Sequence, residues 1–328
     1  MKESKQAGST RREFIRRTVW AGAGLVVLAR PLRGADAAEP LPTRVLGRTG
    51  AKVTILGLGT APIGEGPVDT PEAARIFGEV IDRGVTYVDT ARSYGNAEEA
   101  LGQVLPKRRD RLFLVTKLWT DSGAKADELL GQSLRTLKVD HLDLVHIHHV
   151  GGKEVDKVLA KDGILAYLLK QKEAGKLRFI GLSGHARPPR FLEVLKTGQI
   201  DVVMPVMNYA DVNTYNFEGT VLPECRKRHI GVVAMKVYVG IKGGFPNHRK
   251  GQVGCVTPPD LLPQAMAYAL DLDGVSVANV GPYTMEQAIR NVEIARAYRP
   301  LTADQRALLL ARGKELAPGL GARYGPVA

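Results

Sequence analysis

Cysteine is nearly absent from the chain. Two residues, Cys225 and Cys255, stand in 328, too few for a disulfide framework, a four-cysteine zinc site or a cysteine-ligated iron–sulfur cluster. Cofactor chemistry, if any, is therefore not carried by sulfur. Whether the two cysteines pair depends on their separation, which the sequence does not give. Aromatic residues make up only 6%, and no Lys/Arg run is interleaved with them, which argues against a stacking platform for nucleic acid. Long apolar runs are missing as well. The stretch Val19 to Ala29 has eleven residues with Gly22 and Gly24 inside it, whereas a helical membrane span needs about 20. Arg30 and Arg33 interrupt any continuation.

What is present fits a folded globular chain: 44% hydrophobic and 24% charged residues. At this length about three quarters of the unfolded surface can be buried, so no metal or disulfide is needed to hold the fold. The net charge of +12 is unevenly placed, with eight Lys/Arg against three acidic residues in positions 1–37. The modest basic excess elsewhere suits anionic small ligands and no nucleic acid. Ser9-Thr10-Arg11-Arg12-Glu13-Phe14-Ile15 resembles a twin-arginine (Tat) export signal, and Ala35-Asp36-Ala37 offers small residues where a signal peptidase cuts. That resemblance implies a signal peptide over 1–37, the Tat export machinery as a partner, and a mature domain over 38–328. The domain would be periplasmic or secreted, without a stable membrane span. A disordered basic arm or an uncleaved interfacial anchor is the alternative.

Beyond residue 50, short β-branched runs alternate with segments of helical period. The runs are Val53 to Thr60, Val85 to Thr90, Arg111 to Lys117, Leu142 to His149, Phe179 to Gly184, Val202 to Met207, Gly231 to Val237 and Val275 to Gly281. Helical periodicity falls on Pro71 to Arg83, Ala126 to Lys138, Ile164 to Lys176, Pro259 to Leu270 and Met285 to Arg296. Thr70 and Thr284 read as N-caps. Strands alternating with amphipathic helices pair in parallel through right-handed crossovers, and eight units in a mature chain of this length match a (β/α)8 TIM barrel. A doubly wound sheet is the runner-up. The turn from Gly57 to Gly64 lacks G-x-G-x-x-G spacing and carries Pro62 where a helix should open, which disfavours a dinucleotide-binding Rossmann unit.

In such a barrel the active site lies at the C-terminal ends of the strands. Asp89 ends the second run with Tyr94 just beyond, Lys117 ends the third, and His146-Ile147-His148-His149 end the fourth. Four titratable side-chain types converge on one rim. At this point the chain resembles the aldo-keto reductase family. The match runs from Arg44-Val45-Leu46-Gly47-Arg48-Thr49-Gly50 through Gly57-Leu58-Gly59-Thr60, Asp89-Thr90-Ala91, Tyr94-Gly95, Glu98 and Leu101-Gly102. It continues in Val115-Thr116-Lys117, Leu142-Asp143-Leu144, His148 and Gly175 to Ser183, reaching about Ala297. The resemblance implies a catalytic set of Asp89, Tyr94, Lys117 and His148. A carbonyl receiving hydride develops alkoxide character and needs a proton, and a phenol beside an ammonium should have its pKa lowered. Asp89 would keep Lys117 charged, and His148 would orient the carbonyl.

The same resemblance places a nicotinamide cofactor at Gly59, Thr60, Asp89, Ser183, Met204 and Met235, with Gln287, Arg290 and Asn291 at its adenosine end. Met204 and Met235-Lys236 stand where the family has a glutamine and an aromatic, and methionine cannot donate to an amide. Arg290 near a helix N-terminus favours NADP(H) over NAD(H). The histidine cluster also raises a metal-dependent hydrolase, but the ligand set is incomplete, so no metal is expected. His149 should point away from the face shared by His146 and His148. The Gly-rich basic segment Val239 to Thr257 is either a surface excursion or a lid over an anionic cofactor, and Trp119, His149 and His185 are candidates to line the pocket. The expected function is reduction of a small-molecule aldehyde or ketone. A reductase-like barrel that binds without catalysing is the competing class.

Overall fold

The computed structural model describes residues 39–244, 247, 249–251 and 254–328. The twin-arginine segment and the cleavage position after Ala37 lie outside the described residues. One compact unit runs from Pro40 to Ala328. It opens with an antiparallel hairpin of β1 (Thr43–Val45) and β2 (Lys52–Thr54), followed by eight parallel strands closed into a barrel. These are β3 (Leu56–Gly59), β4 (Tyr87–Asp89), β5 (Phe113–Leu118), β6 (Leu142–Ile147), β7 (Leu177–Gly184), β8 (Val202–Pro205), β9 (Gly231–Met235) and β10 (Val275–Val280), with β10 closing onto β3. The (β/α)8 barrel is thus the architecture. Nearly every strand residue is buried, because helices cover the outer face while side chains fill the inside.

Three local expectations change. The run Val53 to Thr60 is two strands: Lys52–Thr54 pairs back onto Thr43–Val45, and the barrel strand starts only at Leu56. The hairpin covers the N-terminal end of the barrel, where Arg44 Nη1 donates to the carbonyls of Leu270 (2.6 Å) and Val275 (2.8 Å). The helix over Thr70–Asp82 is capped by Asp69, whose carboxylate accepts from Glu72 N at 2.9 Å, so Thr70 lies inside the first turn. A one-turn helix, Ala61–Gly64, does open at Pro62. Proline is tolerated in a first helical turn because its missing N–H has no intrahelical acceptor there.

A last helix, Ala303–Leu320, lies beyond the segments of helical period. It begins with a capping box in which Thr302 and Gln305 exchange side-chain and backbone bonds. Its buried stripe of Leu309, Gly313 and Ala317 packs on the turn around Tyr209 to Asn213. A Cβ at Gly313 would stand 1.8 Å from the Tyr209 carbonyl oxygen, so the fit requires glycine. Gly313→Ala is expected to destabilise the protein by about 1–3 kcal/mol through forced displacement of the helix, measured as a lowered midpoint in urea unfolding. An unchanged midpoint would show that the helix shifts freely.

Candidate active site

Asp89 and Lys117 come from adjacent strands whose register sets Asp89 beside Val115, two residues before Lys117. Both side chains are buried, at 2% and 1% exposure. The Lys117 ammonium lies 2.7 Å from Asp89 Oδ1 and 2.8 Å from Oδ2, and donates to the Thr90 carbonyl at 2.9 Å. Asn279, from β10, donates its amide to Asp89 Oδ2 at 2.9 Å. Burial pushes the Asp89 carboxyl up, and Lys117 and Asn279 pull against it. Burial acts to lower Lys117, yet Asp89 and Tyr94 together hold it above its ordinary value. Lys117 is thus a charged ammonium whose side chain is itself buried.

Tyr94 is delivered by the loop after β4. Glu98, itself buried, accepts from Arg92 Nη1 and from Thr116 Oγ1, both at 2.7 Å. That clamp ties the loop to the strand residue preceding Lys117. Gly95 has a φ of 48°, and a Cβ there would lie 2.0 Å from the Gly64 carbonyl oxygen. The loop therefore crosses the short helix Ala61–Gly64 only because this residue is glycine. The Tyr94 ring stands with its centroid 4.5 Å from the Lys117 ammonium and edge-on to His148 at 5.7 Å. The phenol is not depressed, contrary to the expectation from its neighbour. Burial raises it, Lys117 works against that rise, and the Asp89 charge adds to it. Tyr94 therefore keeps its proton at neutral pH.

His148 is buried and held well below the ordinary imidazole range, chiefly by burial and then by the Lys117 charge, so it is neutral. His149 corrects the alternation argument. The strand ends at Ile147, and His149 has a φ of 57°, so the pleat no longer decides its direction. Both His148 and His149 line the cavity, whereas His146 is fully buried within the barrel. Among the described residues no group of three or more His, Cys, Asp or Glu side chains is gathered in a metal-binding arrangement.

A cavity of about 1240 Å³ opens over these residues, larger than the about 300–1,000 Å³ of most small-ligand sites. Its walls include Gly59, Asp89, Tyr94, His148, Met204, Met235, Gln287, Arg290 and Asn291, together with Trp119, His149 and His185. Thr60 and Ser183 are buried behind the wall. Thr60 Oγ1 donates to the Asp89 carbonyl at 3.0 Å, and Ser183 Oγ is buried without a partner. At the far end Gln287 accepts from Tyr283 N (2.9 Å), Arg290 donates to the Pro259 carbonyl (2.7 Å), and Asn291 accepts from Tyr238 (3.1 Å). Described residues of the Val239 to Thr257 segment, among them Lys242, Arg249 and Cys255, form one wall. Cys225 and Cys255 are both free thiols.

Sequence reading missed Asn279, Arg312, Arg323 and Tyr324, all of which line the cavity. A polar residue near the C-terminal end of an apolar barrel strand was the available signal for Asn279. The Thr302-x-x-Gln305 capping box was the signal for the helix that precedes Arg323.

A closed parallel barrel with a buried Lys–Asp pair, a protonated tyrosine and a neutral histidine at its C-terminal rim defines a TIM-barrel enzyme suited to proton transfer. The aldo/keto reductase family model matches residues 55–253, and the chain belongs to that family. It is 28% identical to L-galactose dehydrogenase of Arabidopsis thaliana and 31% identical to NADPH-dependent codeinone reductase 1-1 of Papaver somniferum. Each alignment covers 58% of this chain and 63% of the relative. The holo form of aldo-keto reductase AKR11C1 from Bacillus halodurans superposes with a TM-score of 0.67 at 26% identity, covering 83% of this chain and 96% of that one.

Removing either member of the buried pair leaves a charge without its partner. Asp89→Ala is expected to cost about 3–5 kcal/mol of stability, read by denaturant titration. A loss below about 1 kcal/mol would mean that solvent reaches Lys117.

Proposed function

We propose that the protein is an NAD(P)H-dependent oxidoreductase that reduces an aldehyde or ketone to an alcohol. One observation carries the reading: a protonated Tyr94 in contact with a charged Lys117 that Asp89 holds from behind. A bound reduced nicotinamide would supply the hydride. Tyr94 would donate its proton to the carbonyl oxygen as negative charge develops there. Lys117 stabilises the phenolate left behind, and Asp89 keeps that ammonium aimed. His148, neutral, hydrogen-bonds the same oxygen and orients the carbonyl. Aimed donors of this kind contribute about 3–4 kcal/mol each to a developing oxyanion.

The residues present fit a dinucleotide in outline. Met204, Asn279 and Gly59 would take the nicotinamide end, and Lys242, Arg249, Gln287, Arg290 and Asn291 the anionic adenosine end. NADP(H) is favoured over NAD(H) because Arg290 and Arg249 add positive charge there, and because a relative is named NADPH-dependent. The competing reading, a barrel that binds a ligand without turnover, is favoured by Met204 standing where an amide partner is expected and Met235 where a stacking aromatic is expected. It predicts NADPH binding with no turnover on any carbonyl. The twin-arginine segment supports export of the enzyme to the periplasm or beyond. Replacing Arg11 and Arg12 by lysine is expected to retain the protein in the cytoplasmic fraction, and unchanged fractionation would remove that part of the proposal.

Tyr94→Phe is expected to lower kcat by several orders of magnitude while NADPH affinity, followed by fluorescence titration, changes less than about threefold. The wild-type reduction rate should stay flat from about pH 6 to 9, since His148 is already neutral and Tyr94 still protonated. It should fall only above the ordinary tyrosine range, as the phenol loses its proton. Wild-type turnover by the phenylalanine variant would overturn the mechanism.

A further inference from the structure

Asn279 stands on β10 and its carboxylate partner on β4, two strands apart. The strand between them is β3, with Asn279 in register with Gly57 and Asp89 in register with Gly59. Neighbouring strands are about 4.8 Å apart, so the side chain must pass across β3 to reach Asp89. Glycine clears its way. Gly57 and Gly59, two residues apart on one strand, face the same side. A Cβ on Gly57 would stand 3.0 Å from Asn279 Oδ1, and one on Gly59 would stand 3.3 Å from Nδ2. The amide thus occupies space that two side chains would otherwise fill.

Its orientation follows from charge. Nδ2 donates to Asp89 Oδ2 at 2.9 Å and lies 3.9 Å from the Met204 sulfur, whereas Oδ1 is buried without a partner. Turning the amide over would set a carbonyl oxygen against a carboxylate, so the nitrogen is the atom that faces Asp89. The titratable groups around this carboxylate are Lys117 from β5, Tyr94 from the loop after β4, and Tyr87 two residues earlier on β4. From β3 come the two glycines, and from β10 the neutral amide. Burial raises the Asp89 carboxyl, and only Lys117 and Asn279 work against that rise. Of those two, Asn279 carries no charge and lies outside the contact between Lys117 and Tyr94, so its contribution can be removed without touching the proton donor or its ammonium.

We propose that Asn279 is a positioning residue of the reductase site, whose amide keeps Asp89 an ionised carboxylate and thereby holds the Lys117 ammonium against the Tyr94 ring. The inference rests on the reductase reading given above and deepens it. A protonated Asp89 would leave Lys117 without its counter-charge, so the strength of the Asn279 bond sets how far the solution can be acidified before the site loses its arrangement.

The test measures Asp89 directly and then its effect on the rate. Infrared spectra of the full chain are followed from about pH 8 down to about pH 4, and the protonated-carboxyl band that disappears in Asp89→Asn is assigned to Asp89. In Asn279→Leu, which has no donor, the band should appear about 1–2 pH units higher than in the wild type, the shift that a hydrogen bond to a charged group carries. Asn279→Asp keeps the shape of the side chain and sets a second carboxylate against the first. The pair should take up its first proton at higher pH still, which decides the question if the leucine variant does not fold. With 4-nitrobenzaldehyde at saturating NADPH, wild-type kcat stays level down to about pH 6. The kcat of Asn279→Leu should fall along an acid limb whose midpoint follows the band, and should come within about threefold of wild type above about pH 8. A residue needed only for packing would lower the rate equally at every pH. Carboxyl bands that appear at the wild-type pH in both variants overturn the inference, as does a rate lowered uniformly across the pH range. If Asn279→Leu loses NADPH affinity in fluorescence titration while the band stays in place, the amide serves the cofactor and the inference falls. Should no carbonyl be reduced, the reductase reading fails on its own, and the infrared band still decides whether Asn279 holds Asp89 ionised.

Discussion

The pairing of Lys117 with Asp89 is the constraint on which the rest of the site depends. Two opposite charges are held out of water, with the ammonium 2.7 and 2.8 Å from the two carboxylate oxygens. Such a pair does little for stability in itself, because desolvation offsets most of the attraction. Its value lies in what it fixes. An ammonium that cannot leave its carboxylate sets the electrostatic environment of Tyr94 and lowers the basicity of His148 and His185. Adjacent parallel strands supply the two residues, so the closed barrel itself holds the charges in register.

Around this pair the protonation states sort themselves by burial. The phenol is raised and keeps its proton, while the imidazoles are lowered and stay neutral. A site of this kind presents one mobile proton, on Tyr94, and one fixed positive charge beneath it. Other charged residues of the cavity wall include Lys236, Lys242, Arg290 and Arg323, with Glu65 among them. An excess of positive charge on a cavity wall favours anionic ligands.

Close backbone crossings let the supporting pieces reach these positions. Gly95 passes the Ala61–Gly64 helix, Gly313 seats the last helix against Tyr209, and Gly47 meets Gly231 beneath the barrel, where a Cβ would stand 2.3 Å from the Gly231 nitrogen. Each crossing leaves no room for a methyl group. Tyr94, Arg323 and the hairpin that covers the N-terminal end thus owe their placement partly to residues with no side chain.

Periodicity and composition alone determined the eight strands, the parallel barrel and the rim on which Asp89, Tyr94, Lys117 and His148 stand. Strand ends in a closed barrel are few, and chain order dictates their order around it. The sequence did not reveal that Val53 to Thr60 is two strands, that His149 turns back into the cavity, or that Tyr94 is raised. Those outcomes depend on a left-handed residue after a strand, a hairpin partner and the sum of burial against charge. The pairings of Arg323 and Asn279 were illegible for the same reason: their partners, Asp211 and Asp89, are 112 and 190 residues away. Local pattern specifies elements because its physics acts over a few residues, whereas the sign and surroundings of a buried charge are set only when distant segments close over it.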